Sequence, residues 1–359
     1  MPAIHQFVAG FSSGDAISNE ALQFRALFRA WGCASDIFCE APRILPELRR
    51  DARNVGDYAA ASRPDDVVLL HLSIGSPVND VFAGLRCRKA LLYHNITPSH
   101  YFDAVNRQTA ANLARGREQL RALANAAEVN LADSAFNARE LADAGYRDVA
   151  VLPLVLDFAR MAAAPDRKTL RRLKDGCVNV LFVGRCVPNK RIEHALLACH
   201  YFRRCVEPHS RFIHVGSFAG TERYYALLLS LARDLGLNDV TFAGAVPQPR
   251  LNAFYRAADI FLCMSEHEGF CIPIIESMAH GVPVMAFAAG AVPETLDGAG
   301  ILVREKRYEL IAEMMGRVAR DAALRSAVLR GQRERLARYR ARDLAGELRG
   351  SLAPLLKQD

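Results

Sequence analysis

The run Asp259-Ile260-Phe261-Leu262-Cys263-Met264-Ser265-Glu266-His267-Glu268-Gly269-Phe270-Cys271-Ile272-Pro273-Ile274-Ile275-Glu276 decides the fold class. Its apolar half, Ile260 to Met264, predicts a buried strand, because nothing in it alternates with polar residues. Pro273 suits the first turn of a following helix, and Gly281 before Val282-Pro283 suits that helix's end. A buried strand that passes through a glycine turn into a helix is half of a βαβ unit, with Glu268 in the turn and Glu276 in the helix. The N–H groups from Gly269 to Ile272, together with the helix dipole, attract a phosphate, and Gly269 lets backbone approach a ligand. A carboxylate on either side can accept bonds from sugar hydroxyls.

Upstream, Phe182-Val183-Gly184-Arg185-Cys186-Val187-Pro188-Asn189-Lys190-Arg191 supplies the positive charge that the first stretch lacks. Val178 to Val183 reads as a strand and Ile192 to Cys205 carries helical spacing, so Arg185 and Lys190 fall on the loop between them. Ligands of open α/β sheets bind at that strand edge, where a guanidinium fork and an ammonium suit a diphosphate. Strands and helices alternate along the whole chain, which predicts two βαβ domains with mainly parallel sheets. Strands are expected at Ile4–Phe11, Asp36–Cys39, Val67–Leu72, Ala90–Tyr93, Glu128–Ala132 and Val149–Leu154. A second set is expected at Val178–Val183, Phe212–Val215, Val240–Phe242, Ile260–Met264, Val284–Phe287 and Ile301–Val303. The predicted division is a first domain over 1–157, a linker over 158–176 containing Pro165, a second domain over 177–335, and a terminal helix over 336–359. Ile17, Phe24, Phe28 and Trp31 form one helical stripe and are expected in the first core.

The 359 residues are 51% hydrophobic, enough for two cores of ordinary size. Nine cysteines, an odd set without a C-x-x-C pair, disfavour a disulfide framework and a structural zinc and fit a reducing cytoplasm. Cys186 and Cys271 are read as small hydrophobes. No charged leader with a long apolar core and no run of 18 apolar residues is present, so neither a signal peptide nor a membrane span is expected. Of the net charge of +7, most lies in Arg304 to Asp359, with 14 Lys and Arg against 8 Asp and Glu. That end is read as a solvated helix face or as a peripheral contact with an anionic membrane surface. Only Tyr308 and Tyr339 could stack on bases there, which argues against a nucleic-acid partner.

Glu268 and Glu276 flank seven residues. With Ser265, the Glu-Gly-Phe triplet, Pro273 and Gly281-Val282-Pro283-Val284, the stretch resembles the signature of the family-four glycosyltransferases of the GT-B fold. The resemblance covers nearly the whole chain and is strong from Val180 to Val303. It implies an α/β protein of GT-B architecture: two Rossmann-like βαβ domains facing across a cleft, the first mainly for the acceptor, the second mainly for a nucleotide-sugar, and a terminal helix packed back on the first. The implied reaction is transfer with retained configuration. Arg185 and Lys190 would stabilise the departing diphosphate, Glu268 would orient sugar hydroxyls, and Glu276 would hold the ribose. Gly269, Phe270 and Cys271 would face the donor phosphate, and the turn Gly244-Ala245-Val246-Pro247 would offer backbone at Val246 to the base.

In the first domain the resemblance assigns His94, in Tyr93-His94-Asn95-Ile96-Thr97-Pro98, to the donor sugar or its phosphate, and Gly14, in Phe11-Ser12-Ser13-Gly14-Asp15, to a backbone contact with the donor. Many relatives have paired glycines at that point and this chain does not. His71 and Asp15 are expected on the acceptor side, with a structural histidine and a helix cap as their other readings. The segments around Gly14 and His94 look like bacterial members that build lipopolysaccharide or exopolysaccharide. The expected function is therefore transfer of a hexose, mannose from GDP-mannose, to a saccharide or lipid-linked acceptor in cell-envelope polysaccharide synthesis, in the cytoplasm and peripherally at the inner membrane face. A nucleotide-sugar 2-epimerase and a non-catalytic nucleotide-sugar-binding scaffold are the alternatives. No cofactor is expected beyond the nucleotide-sugar co-substrate. No metal is expected either, since there is no His-Glu-x-x-His or D-x-D pattern and Arg185 and Lys190 bring the charge a cation would; Glu266-His267-Glu268 is the nearest acidic pair.

Overall fold

The structure, a computed structural model, describes residues 3–59 and 62–356. The chain divides into two compact units. One comprises the residues up to Asp103, Arg107–Leu156 and the residues from Asp343 onward; the other comprises Ala104–Asn106 and Asp157–Arg342.

The first unit is a seven-stranded parallel sheet of β1 (Ile4–Val8), β2 (Ile37–Cys39), β3 (Ala52–Asn54), β4 (Val67–Leu72), β5 (Arg88–Tyr93), β6 (Val129–Ala132) and β7 (Val149–Val151). Its order is β3-β2-β1-β4-β5-β6-β7. The direction of winding therefore reverses between β1 and β4, the crevice at which such sheets bind ligands. β4 is buried at every position, as its sequence, apolar except for His71, dictates for a central parallel strand. The stripe on the helix Ala16–Ala30 behaves as its spacing requires: Phe24 and Phe28 are fully buried beside Ile4, Leu69 and Leu92, with Trp31 packed at the margin. Leu348, Leu352 and Leu355, from the helix Leu344–Leu356, complete the same core. Each fully buried leucine contributes about 1.5–3 kcal/mol relative to exposure.

The second unit is a six-stranded parallel sheet of β8 (Val178–Val183), β9 (Ser210–Val215), β10 (Val240–Phe242), β11 (Ile260–Cys263), β12 (Val284–Phe287) and β13 (Ile301–Val303), in the order β10-β9-β8-β11-β12-β13. Here the reversal falls between β8 and β11, which pair through Ile260 with Val180 and Phe261 with Leu181. The stretch 158–176, expected as a linker, is instead part of this unit. Asp157 and Asp166 cap short helices over Phe158–Ala162 and Arg167–Leu173, and Met161 and Leu173 are buried. The terminal element also breaks later than expected: the helix Ala322–Arg340 belongs to the second unit, and the chain rejoins the first only at Asp343. Among the described residues no helix is long and apolar enough to cross a membrane.

Candidate active site

The loops after β8 and β11 leave adjacent strands at the reversal point and are stitched together residue by residue. Glu266 N–H donates to the Asn189 carbonyl at 2.9 Å, and Asn189 Nδ2 donates to the His267 carbonyl at 3.1 Å. Lys190 Nζ meets Glu268 Oε2 at 2.6 Å, and Arg191 Nε meets Glu266 Oε2 at 2.5 Å. Two non-glycine residues, Arg191 (φ 48°) and Cys271 (φ 72°), take left-handed backbone to cap the helices Ile192–Tyr201 and Ile272–Ala279. Such strain costs roughly 1–3 kcal/mol per residue and gathers at functional sites.

The Lys190 and Glu268 side chains are 21% and 6% exposed. Burial by itself would lower the Lys190 pKa; Glu268 more than reverses this, so the ammonium is held charged above its usual range. Arg185 lies on the same loop, exposed, with no described side chain paired to it. Glycines hold the loop in place. A Cβ on Gly216 (φ 157°) would sit 1.8 Å from the Gly184 carbonyl oxygen, so only glycine lets the loops after β8 and β9 touch. A Cβ on Gly290 would sit 2.3 Å from the Glu268 carbonyl oxygen, which accepts instead from Ala291 N–H at 2.9 Å. The site thus combines a fixed carboxylate, a fixed ammonium and an exposed guanidinium beside a helix N-terminus, a set whose chemistry suits hydroxyls and a diphosphate.

Residues 171–337 match the family described as glycosyl transferases group 1. The chain carries this match over most of its second unit. It is 35% identical over 193 residues to a D-inositol 3-phosphate glycosyltransferase of Acidothermus cellulolyticus, covering 51% of this chain and 43% of that protein. It is 30% identical over 220 residues to a GDP-mannose-dependent alpha-(1-6)-phosphatidylinositol monomannoside mannosyltransferase of Mycolicibacterium smegmatis, covering 57% and 56%. The chain spans about half the length of the curated relatives it matches. The crystal structure of Anabaena HepE in complex with UDP-glucose is similar with a TM-score of 0.75 at 18% identity, covering 99% of each chain. That likeness is one of fold, and the two Rossmann-like sheets are those of GT-B.

Of the other expected positions in the second unit, Glu276 accepts from the Tyr255 hydroxyl at 2.6 Å. Burial holds its pKa above the usual range against that bond. Val246 is half-buried on the loop after β10, two strands from β8 and so about 10 Å across the sheet, a spacing that suits a base. The Phe270 ring does not face a ligand: it is buried against Tyr339, and its carbonyl accepts from Thr295, which leaves only its N–H for a donor. Burial raises the Cys186 thiol to about 12, and the bond shared with Cys263 keeps Cys271 protonated, so neither is an activated nucleophile. Glu266 is taken by cations: Arg191, Lys306 Nζ at 2.5 Å and, farther off, His194. Burial opposes its ionisation, yet the bonds from Lys306 and Arg191 hold its pKa down to about 2. It therefore does not pair with Glu268 around a common ion. Spacing in the sequence gave no sign of this cluster, because Arg191, Glu266 and Lys306 come from three distant loops. The basic end is also largely engaged within its unit: Arg320, Arg325, Arg335 and Arg338 bond to Val206, Asp259, Thr295 and Asp297.

In the first unit the expected acceptor residues are differently employed. His71 is fully buried between Gln6 and His94, because β4 is central and both its faces are covered, so it lines no surface. Asp15 caps the helix Ala16–Ala30, accepting from Ser18 N–H and Oγ at 2.8 Å each. Gly14 (φ 77°) has open space around it, which suits a backbone contact. The His94 side chain is only 2% exposed and both its nitrogens face protein. Hydrogen bonds fix the direction of its contact with His71. Gln6 Nε2 donates to the Ala21 carbonyl, so Gln6 Oε1 accepts from His71 Nε2, and His71 Nδ1 must accept from His94 Nε2 at 2.9 Å. His94 Nδ1 faces Asp133 at 3.6 Å, and Glu20 lies 3.5 Å from Nε2. Burial would lower the His94 pKa, but Asp133 and Glu20 raise it, whereas burial and His94 lower His71. His94 thus lies buried between two carboxylates at the end of β5, which favour its charged form.

Proposed function

We propose that the chain is a retaining glycosyltransferase that moves mannose from GDP-mannose to a saccharide or lipid-linked saccharide acceptor in cell-envelope polysaccharide synthesis. The observation that carries this reading is the convergence of exposed Arg185, the Lys190–Glu268 pair and the helix N-terminus at the reversal between β8 and β11. Arg185 and Lys190 take the charge that develops on the departing diphosphate, Glu268 accepts from sugar hydroxyls, and Glu276, oriented by Tyr255, accepts from the ribose. The bond from the anomeric carbon to the diphosphate breaks and the bond to the acceptor oxygen forms on the same face. The acceptor proton passes to the diphosphate oxygen. With two cations in place, the step needs no divalent metal. The choice of mannose draws support from the printed specificity of the Mycolicibacterium smegmatis relative, and the arginines of the terminal helices left unpaired would give a peripheral contact with anionic lipid.

Incubation with GDP-mannose, UDP-glucose and UDP-N-acetylglucosamine, in excess chelator, tests this by thermal shift and nucleoside diphosphate release. GDP-mannose at a hundredfold excess over its dissociation constant stabilises by about 2.7 kcal/mol if it is the donor. Stabilisation by a uridine nucleotide-sugar alone, or release that stops in chelator and returns with Mg²⁺, overturns the donor or the metal assignment respectively.

A further inference from the structure

The second unit holds a cluster that the transfer reaction does not use as such. The Sγ atoms of Cys263 and Cys271 and a carboxylate oxygen of Glu268 lie within 4.8 Å of one another, all three residues buried. We propose that these residues form a site for one thiophilic divalent cation, Zn²⁺ or a cation of its kind, which engages the Glu268 carboxylate beside Lys190.

The geometry is close to what such a cation needs. Bonds of about 2.3 Å to sulfur and 2.0–2.2 Å to oxygen in a tetrahedron place the ligand atoms roughly 3.5–3.8 Å apart, so a contraction of about 1 Å suffices. The three ligands are held by separate devices. Cys263 is the last residue of β11, Cys271 sits in left-handed backbone at a helix cap, and Glu268 is pinned by the Ala291 N–H bond under Gly290. Ser265 Oγ, 3.3 Å from the Cys263 sulfur, helps to orient that ligand. The charges also close. Two thiolates and a carboxylate total −3, a divalent cation adds +2, and Lys190, which the Glu268 pairing holds at the cluster, supplies +1. Binding releases the two thiol protons to solvent, so affinity rises with pH. The fourth position stays open, as in cation sites that are not purely structural.

The consequence for the enzyme rests on the function proposed above: the cation competes with donor binding, because it engages the carboxylate that would hold sugar hydroxyls. The site itself can be tested without any transfer assay. Reduced full-length protein titrated with Co²⁺ gives a thiolate-to-cobalt charge-transfer absorption that saturates at one equivalent and bleaches with Zn²⁺. Cys263→Ser and Cys271→Ser each weaken binding by more than the roughly 10–100-fold that loss of an outer-shell partner costs. Glu268→Gln, which keeps both sulfurs and nearly the same shape, retains the absorption but with weaker affinity. Absence of the absorption in the wild type, or its full retention in the Cys263→Ser/Cys271→Ser protein, overturns the proposal. Neither result bears on whether the chain transfers mannose.

Discussion

Replacing Lys190 with alanine removes the ammonium 2.6 Å from Glu268 Oε2 and leaves a carboxylate that is 6% exposed without its partner. Stripping one member from a buried pair costs about 3–5 kcal/mol, and because Lys190 is 21% exposed, water can reach part of the gap, which reduces the expected loss to about 2–3 kcal/mol. For a unit of this size, each kcal/mol moves the midpoint by about 2–4 °C, so calorimetry should show a fall of roughly 4–12 °C. Glu268→Gln in the same background removes the stranded charge and should recover most of that fall. Diphosphate affinity behaves differently, since it follows the cation. Loss of a charge-assisted bond worth about 1.5–3 kcal/mol weakens nucleoside diphosphate binding roughly 10–150-fold by titration calorimetry. That loss should be the same in Lys190→Ala and in Lys190→Ala/Glu268→Gln, while Glu268→Gln alone binds the diphosphate normally. If the double variant bound nucleoside diphosphate as tightly as the wild type, Lys190 would be only a structural counter-ion to Glu268.

Arg185→Ala should leave the unfolding midpoint within about 0.5 kcal/mol of the wild type, because the side chain is exposed and unpaired, yet lower turnover on the order of 10²-fold. A marked loss of stability would assign it a packing role instead. Gly216→Ala places a methyl where the Gly184 carbonyl already stands and should cost at least the roughly 1–3 kcal/mol of overpacking, with donor affinity lost as the loop after β8 moves; an unchanged midpoint would contradict the close approach. Raising the pH from about 6.5 to 8 should remove the His94 contribution to the stability of the first unit. The His94 pKa is raised on folding, so its contribution is complete below the unfolded value and fades as pH climbs through the folded one. The lowered histidines His5, His71, His194, His214 and His280 act in the opposite sense, since the unfolded chain loses their protons as pH rises past the unfolded value, so the His94 part is read as the difference between the wild type and a His94 variant. His94→Gln should therefore lose less stability, or gain more, over this range than the wild type, and the same pH dependence in both proteins would refute the raised His94 pKa.

The central strands were legible because a parallel strand covered on both faces leaves a mostly apolar run, interrupted here only by His71 and Asn179: Val67–Leu72 and Val178–Val183 fall where that pattern puts them. β3 was not, since Ala52-Arg53-Asn54 is a short, polar edge strand with no apolar period. The stretch 158–176 read as a linker because Pro165 and its basic residues mask two short capped helices; Asp157 and Asp166, each ahead of a helical stretch, were the available signal. His71 could have been placed by the rule that fixed its neighbours, because a histidine inside Val-Val-Leu-Leu-His-Leu shares the burial of a central parallel strand. The loops of the site were found through Gly184, Lys190, Glu268 and Pro273, whose types carry local meaning. What binds those loops to one another, Asn189 to His267 and Arg191 to Glu266 and Lys306, is long-range pairing, and no local period encodes it.

Leu348, Leu352 and Leu355 belong to a core whose other members end at Leu152. During synthesis, at about 5–20 residues per second, the first unit therefore emerges with a missing wall and waits until the whole second unit has been made. The apolar faces of Phe28, Leu92 and Leu131 are left for chaperones in the meantime. The order of completion inverts the order of synthesis: the second unit, continuous from Asp157 to Arg342 but for three residues, can close first, and the last helix then seals the beginning of the chain.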